Sequence, residues 1–395
     1  MKTTGQYVTT STTGESVRAF VPNPLPPDPP IKLTDEDHDL MEKANRALGR
    51  LDGITTLLPD VSLFLYFYIR KEAVLSSQIE GTQSSFSDLL LHEEDLAPGV
   101  PLDDVQEVSN YVAAMNHGLK RLREDHFPLS LRLIREMHGL LMEGVRGEDK
   151  QPGEFRASQN WIGLDGMPID TARFIPPPPG PELNRALDAL EKYLHVPSDL
   201  PPVVRLALVH YQFESIHPFV DGNGRIGRLL ISLMLCLEDV LPMPLLYLSA
   251  YFEKTRAEYY DRLLRVNHRG MWNDWLVYFA RGVASESLDA VDRAQRLKNL
   301  QAKYIQKVRT ARTSALLTKL IEELFNQPMV TMGKVAELLG VTPNTAQKHI
   351  DRLIDNGILR ELTGRKRNRI FVAEGIIKSI YEPYYRRSGL KVGKE

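Results

Sequence analysis

The chain has 395 residues, of which 43% are hydrophobic and 25% charged, an ordinary globular composition with room for two or three domains. Its single cysteine, Cys236, excludes an intramolecular disulfide and every cysteine-rich zinc or iron–sulfur site, and points to a reducing, cytoplasmic setting. The net charge of −2 conceals an asymmetry: residues 301 to 395 carry 18 Lys or Arg against 9 Asp or Glu, which leaves −11 for residues 1 to 300 and implies two regions with different partners.

Residues 1 to 33 are rich in Thr, Ser and Pro and lack helical periodicity, so an extended arm without a signal peptide is predicted. No apolar run reaches the ~20 residues of a membrane span. Thr34 is the expected N-cap of the first helix, with Asp35 and Glu36 in its first turn. Asp60 to Ile79 reads as a buried helix that Gly81 stops. Further helices are predicted over Asp104 to Glu124, Ser130 to Met142, Pro181 to Leu194, Pro201 to Ile216, Arg225 to Leu237, Lys254 to Asn267 and Trp272 to Lys307. Arg156 to Ile175, with a turn at Leu164-Asp165-Gly166, reads instead as a short hairpin. The fold class is therefore mainly α with one small β element. In the tail, a helix, a turn at Gly340, a second helix capped by Thr342 with Pro343 at its first position, and two strands around Gly364 make a winged helix-turn-helix.

The chemistry concentrates in His217-Pro218-Phe219-Val220-Asp221-Gly222-Asn223-Gly224-Arg225-Ile226-Gly227-Arg228. Gly222 and Gly224 around Asn223 let the backbone turn several N–H groups inward as an anion-binding nest, and the following helix adds its positive end. Asp221 offers a hard oxygen to Mg²⁺. Arg225 and Arg228, three apart, share a helical face toward a polyphosphate. His217 is the one group in the loop that ordinarily titrates near neutrality, which makes it the candidate general base. Neither a Walker A sequence nor HExxH occurs.

This stretch resembles the Fic family of protein-modifying enzymes, matching its signature HPFxDGNGRxxR at all nine specified positions of twelve. The resemblance implies a helical-bundle core and transfer of AMP from ATP to a Ser, Thr or Tyr hydroxyl of a protein. By motif position, His217 would deprotonate the hydroxyl, Asp221 would bind Mg²⁺, Gly222, Asn223 and Gly224 would hold phosphates, Arg225 and Arg228 would neutralise them, and Phe219 would anchor the loop. The segments Gly153 to Gly163 and Arg173 to Pro179 resemble the family's flap, with Asn160, Trp161, Ile162 and Gly163 along the nucleotide and the target's backbone added as a strand. Ala257 to Asn267 resembles the adenine-packing segment, which implies roles for Tyr259 and Asn267. Ser76-Ser77-Gln78-Ile79-Glu80-Gly81 matches the inhibitory pattern (S/T)xxxE(G/N), in which Glu80 pairs with Arg228 and blocks the γ-phosphate position.

On this reading residues 1–33 are the arm, 34–110 an N-terminal helical region with the inhibitory helix, 111–290 the Fic core, 291–312 a linker helix and 313–395 the winged-helix domain. Several residues carry a plainer interpretation beside the functional one. Tyr259 is core packing in its plain reading, His210 a structural neighbour of His217, and Cys236 a buried small apolar residue. For the tail, the basic run Arg365 to Arg369 with Asn344, Gln347 and Lys348 on the second helix leaves DNA, a docked protein or a second copy of the chain open as partners. Rival activities are transfer of UMP or phosphate, removal of AMP with Glu80 orienting a water, and a transcriptional regulator whose Fic core senses nucleotide.

Overall fold

The computed structural model describes residues 4–12, 15–55, 61–93, 101–145, 150–163, 167–309, 315–363 and 369–381. Met1–Asp52 with Tyr68–Ser287 make one unit, and Gly53–Phe67 with Leu288–Glu395 the other. In the first unit the N-terminal residues are not a free arm. Strands β1 (Gly5–Thr12) and β2 (Glu15–Pro22) pair antiparallel with Tyr7 opposite Phe20. The reason is a period-two alternation in Ser16-Val17-Arg18-Ala19 that helical periodicity does not register: Val17 and Ala19 are buried, Ser16 and Arg18 exposed. The Thr4 hydroxyl donates to the Val266 carbonyl at 2.8 Å and the Phe20 N–H to the Ile175 carbonyl at 2.8 Å, which ties the hairpin to the helical body and to the predicted flap.

The helices follow in chain order. Thr34 caps α1 (Asp35–Thr55) as expected, its hydroxyl accepting from the Asp37 N–H while the Asp37 carboxylate accepts from the Thr34 N–H. Next come α2 (Val61–Ile79), with Gly81 just beyond it at φ +103°, and α3 (Phe86–Glu93). The latter was not expected, although Ser85 and Asp88 form the same reciprocal cap. Helices α4 (Leu102–Arg123) and α5 (Leu131–Leu141) match the sequence reading to within two residues. The predicted hairpin of residues 156 to 175 is a single bridge, Ile162 with Phe174, plus a 3₁₀ turn at Ile169–Thr171. Pro168 offers no N–H to a ladder, and four prolines follow Ile175, so pairing does not extend. The turn at Leu164-Asp165-Gly166 lies outside the described residues.

Beyond it run α6 (Pro181–His195), α7 (Pro202–Ile216), α8 (Asn223–Leu237), α9 (Ser249–Lys254), α10 (Arg256–Arg269) and α11 (Trp272–Val308). The one helix expected over Lys254 to Asn267 is interrupted at Thr255, whose hydroxyl turns back to the Tyr251 carbonyl at 2.6 Å. Helix α7 is apolar nearly all round and is buried from Val203 to Phe213 except at Arg205, so it forms the centre of this unit. Trp275, Phe252, Phe279 and Tyr259 enclose it near His210. Cys236 is buried, as expected.

In the second unit, α12 (Ala315–Asn326) precedes β3 (Met329–Thr331), α13 (Met332–Leu339), α14 (Pro343–Asp355), β4 (Arg360–Glu361), β5 (Ile370–Val372) and α15 (Glu374–Tyr381). Gly340 at φ +62° makes the turn between α13 and α14, and Thr342 caps α14. The sheet has three strands in the order β3-β5-β4 instead of two, because Met329–Thr331 closes its edge. Gly364, Arg365, Lys366, Arg367 and Asn368 lie outside the described residues. No described helix is long and apolar enough to cross a membrane.

Candidate active site

The signature loop joins the ends of the two central helices. Helix α7 ends at His217, which takes the left-handed conformation (φ 49°, ψ 60°) and turns the chain sharply before Pro218. Arg156 stabilises this terminus. Its buried guanidinium donates to the carbonyls of His217 at 2.9 Å, Pro177 at 2.6 Å and Ile216 at 3.4 Å, placing a cation where the helix dipole is negative. Burial first, and then the charge of Arg156, lower the His217 pKa to about 4 against the opposing pull of the Glu214 backbone, Glu80 and Asp221. The imidazole is therefore neutral at physiological pH, and its Nδ1 has no hydrogen-bond partner among the described residues. A neutral ring with a free nitrogen can accept a proton.

Phe219 locks the middle of the loop. Its ring is fully buried, its N–H donates to Asn223 Oδ1 at 2.8 Å, and its carbonyl accepts from Asn223 Nδ2 at 2.9 Å and from Asn160 Nδ2 at 2.8 Å. Asn223 is thus a brace for the loop, and Asn160 ties the flap to it. Gly222 at φ +75° starts α8, whose N-terminus has no side-chain cap. The first N–H groups of α8 are left for an anion.

The charged groups surround that terminus. Asp221 accepts from the Gly222 N–H at 2.6 Å and pairs with Lys150 at 3.1 Å and Arg225 at 3.4 Å. Burial pushes its carboxyl up, but Arg225 and Lys150 outweigh this and hold it below the ordinary value. Arg225 also reaches Glu107 at 3.4 Å, and Glu107 in turn accepts from the Thr82 hydroxyl at 2.9 Å. Arg228, 1% exposed, donates to Ser76 Oγ at 2.8 Å, to the Ser76 carbonyl at 2.9 Å and to Glu80 Oε1 at 2.6 Å. A β-carbon at Gly224 would collide with Glu80 Oε1, so the carboxylate lies directly on the start of α8.

The other predicted residues distribute between surface and core. Trp161 donates its indole N–H to the Met167 carbonyl at 3.3 Å, and Ile162 and Gly163 lie along the flap's bridge to Phe174. Tyr259 is fully buried and its hydroxyl lies 2.8 Å from Nε2 of His210, whose Nδ1 faces the Gly227 carbonyl at 3.0 Å. Tyr259 is thus packed into the wall of the site beside His210. Its neighbour Tyr260 is only partly buried, and Glu80 and Arg228 act on the hydroxyls of both. Asn267 is nearly buried, its side-chain oxygen accepting from Tyr211 and Ser215. In the second unit, Asn344 and Lys348 are exposed on α14, whereas Gln347 is held by Asp351 and Arg369. A cavity of about 990 Å³ lies elsewhere in the first unit, between the proline run after β2 and the facing ends of α6 and α7, and includes none of the signature residues.

Residues 38–120 match the Fic/DOC family N-terminal model, and residues 128–235 match the Fic/DOC family model. The chain carries Fic/DOC N-terminal and Fic domains. Residues 317–377 match an HTH DNA binding domain. Over 267 residues the chain is 28% identical to protein adenylyltransferase fic-1 of Caenorhabditis elegans, across 66% of this chain and 46% of that protein. Over 162 residues it is 31% identical to protein adenylyltransferase Fic of Drosophila erecta, across 40% of this chain and 30% of that protein. It therefore spans less than half the length of these curated relatives. A crystal structure of a Fic family protein from Desulfovibrio desulfuricans G20 shares the fold, with a TM-score of 0.55 and 17% identity over 88% of this chain and 98% of that one.

Five residues that sequence reading passed over belong to the site: Glu107, His138, Lys150, Arg156 and Glu214. Each reaches the loop across a gap in sequence, except Glu214, three residues before His217. Its carboxyl fills the space left by Gly227, where a β-carbon would collide with Oε1, and burial raises its pKa to about 7 against the pull of Arg228. Glu72 carried a usable signal, since Glu72, Ser76 and Glu80 recur at every fourth position of one helical face. It is buried behind Ser76, and burial raises its pKa to about 7 while Ser249 and Arg228 lower it.

Proposed function

We propose that the Fic domain transfers AMP from ATP to a Ser, Thr or Tyr hydroxyl of a protein, this chain included, and that Glu80 restrains the reaction. The observation that carries this reading is the pairing of a neutral His217 at the end of α7 with an uncapped N-terminus of α8 flanked by Arg225 and Arg228. One helix end supplies a base, and the other an anion cradle. His217 takes the proton of the acceptor hydroxyl, whose oxygen attacks the α-phosphorus in line as the bond to pyrophosphate breaks. The N–H groups after Gly222, with Arg225 and Arg228, oppose the charge that gathers on the leaving oxygens. Tyr259 and its less buried neighbour Tyr260 offer rings to the adenine, with Asn267 on the same helix. Asn160 to Gly163 offer an edge to the target's backbone.

Asp221 fits Mg²⁺ in the way that ion usually meets proteins, through one carboxylate with phosphate oxygens completing the shell. Among the described residues no group of three or more His, Cys, Asp or Glu side chains gathers to hold a metal without substrate. When bound, Mg²⁺ would neutralise phosphate charge at Asp221.

Restraint follows from where Glu80 sits. Its carboxylate uses Arg228 and covers Gly224, so it occupies the positions the terminal phosphate needs. For the tail, the match of residues 317–377 to an HTH DNA binding domain supports duplex DNA as a partner of the second unit.

Parallel incubations of lysate and the full chain with α-labelled and γ-labelled ATP test the transfer. Label in protein from the α position alone is expected. Label from the γ position would replace this reading with phosphate transfer, and no label from either, with the Glu80→Gly variant included, would leave a nucleotide sensor.

A further inference from the structure

The ring of His138, on α5, meets the signature loop from beneath and is used by none of the steps above. It is 1% exposed and lies flat on the Phe219 ring, with centroids 3.7 Å apart and planes 3° from parallel. Its Nδ1 accepts the Gly153 N–H at 2.9 Å, so in the neutral ring the proton is on Nε2. That Nε2–H points at the Asp221 carbonyl, 3.0 Å away.

The consequence follows from the geometry of one peptide plane. In a trans peptide the carbonyl of one residue and the N–H of the next point in opposite directions. By holding the Asp221 carbonyl inward, His138 holds the Gly222 N–H outward, where the Asp221 carboxylate accepts it at 2.6 Å. Gly222 has no β-carbon to resist rotation about its own φ and ψ, so without an anchor this plane could turn. A β-carbon there would also press within 3.3 Å of His138 Nε2, so glycine and imidazole are fitted to each other. The Gly153 contact adds a second function. Gly153 and Arg156 belong to the first part of the flap segment, and the Gly153 carbonyl is held by Arg135 at 2.8 Å. His138 is therefore shared between that segment and the loop.

We infer that His138 is a positioning residue for nucleotide binding: it locks the Asp221–Gly222 peptide so that the Asp221 carboxylate and the start of α8 face one polyphosphate. The inference rests on the adenylyl-transfer reading. Such supporting partners of a metal-binding group typically change metal affinity or activity by ~10–100-fold.

The test uses the full chain with His138→Phe, which keeps a flat ring on Phe219 and removes both hydrogen bonds, and His138→Gln, which restores a donor for the Asp221 carbonyl. Melting temperature, the affinity for ATP at several Mg²⁺ concentrations, and the KM values for ATP and for the protein acceptor are measured. For His138→Phe the expected result is a weakening of ATP binding by ~10-fold or more, partly recovered by raising Mg²⁺, with an unchanged KM for the acceptor. His138→Gln should lie between it and the parent. A residue that only packs would lower the melting temperature of both variants and leave the affinity of the folded fraction for ATP, and its Mg²⁺ dependence, as in the parent; that result overturns the inference. A parent chain that neither binds ATP nor transfers label would sink the adenylyl-transfer reading and this inference with it, whereas a parent that does both, matched by His138→Phe, sinks this inference alone.

Discussion

Glu80 and Arg228, 148 residues apart, meet in a hydrogen-bonded ion pair at 2.6 Å, with the carboxylate resting on Gly224 at the start of α8. Burial works against the charge of Arg228, but Glu80 together with Tyr259, Tyr260 and Glu214 outweighs it and the guanidinium pKa is raised. A charge-assisted hydrogen bond of this kind contributes roughly 1.5–3 kcal/mol. Glu80→Gly should accordingly improve apparent ATP affinity by about 10- to 100-fold and raise self-modification, read by calorimetry and α-label incorporation. A folded Glu80→Gly chain with the parent's affinity and rate would reduce Glu80 to a surface charge.

His217 and Asp221 should separate by phenotype. His217→Ala removes the proton acceptor but leaves the α8 terminus intact, so transfer should be abolished while ATP still raises the melting temperature. Asp221→Ala should lose the Mg²⁺-dependent part of that rise. Near-normal turnover in His217→Ala would overturn the assignment of the base.

The depressed pKa of His217 makes a claim about pH. With burial and Arg156 holding it at about 4, the ring stays in its base form well below the usual imidazole range. The His217 ring, followed by NMR in the free enzyme, should therefore show no titration near the ordinary histidine value of ~6.5. Followed from about pH 5.5 to 8 in Glu80→Gly, a ring titration centred near 6.5 would contradict the environment described for His217.

Glu214 should register in stability. Its folded pKa is raised to about 7 from an ordinary 4.5, so the native state binds the extra proton between those values. The cost of the buried charge is fully present above about pH 7 and disappears as pH falls through about 4.5. Glu214→Gln keeps the shape of the neutral form. It should therefore melt higher than the parent at pH 8, with the difference vanishing near pH 4.5, as scanning calorimetry would show. A difference of equal size at both pH values would mean that the substitution acts through packing.

The tail is tested through charge. Neutralising Arg365, Lys366 and Arg367 together should weaken binding to any DNA duplex and flatten its salt dependence, by a slope of up to ~0.9 for each phosphate no longer neutralised. Label transfer by the Fic domain should be unaffected. If the full chain shows no salt-sensitive duplex binding at low ionic strength, a docking or self-association role takes the place of DNA.

Features encoded locally are legible in the order of residues itself. The ends of α2, α7 and α8, the caps at Thr34 and Thr342, and the cradle around Gly222 follow from spacings of two to four residues. Ser76 and Glu80 share a helical face for the same reason. The tertiary structure alone decided how two adjacent tyrosines differ: a 100° step along α10 buries Tyr259 against His210 and leaves Tyr260 only partly covered. It also decided that the N-terminal residues pair as strands and meet Ile175. Arg156 serves the carbonyls at the end of α7 from 61 residues away, and His138 serves Asp221 from 83. A helix's periodicity records which face is apolar, but a buried polar side chain finds its partner only when distant segments close together and water is excluded. Until then nothing in the spacing of residues distinguishes a brace from a surface group.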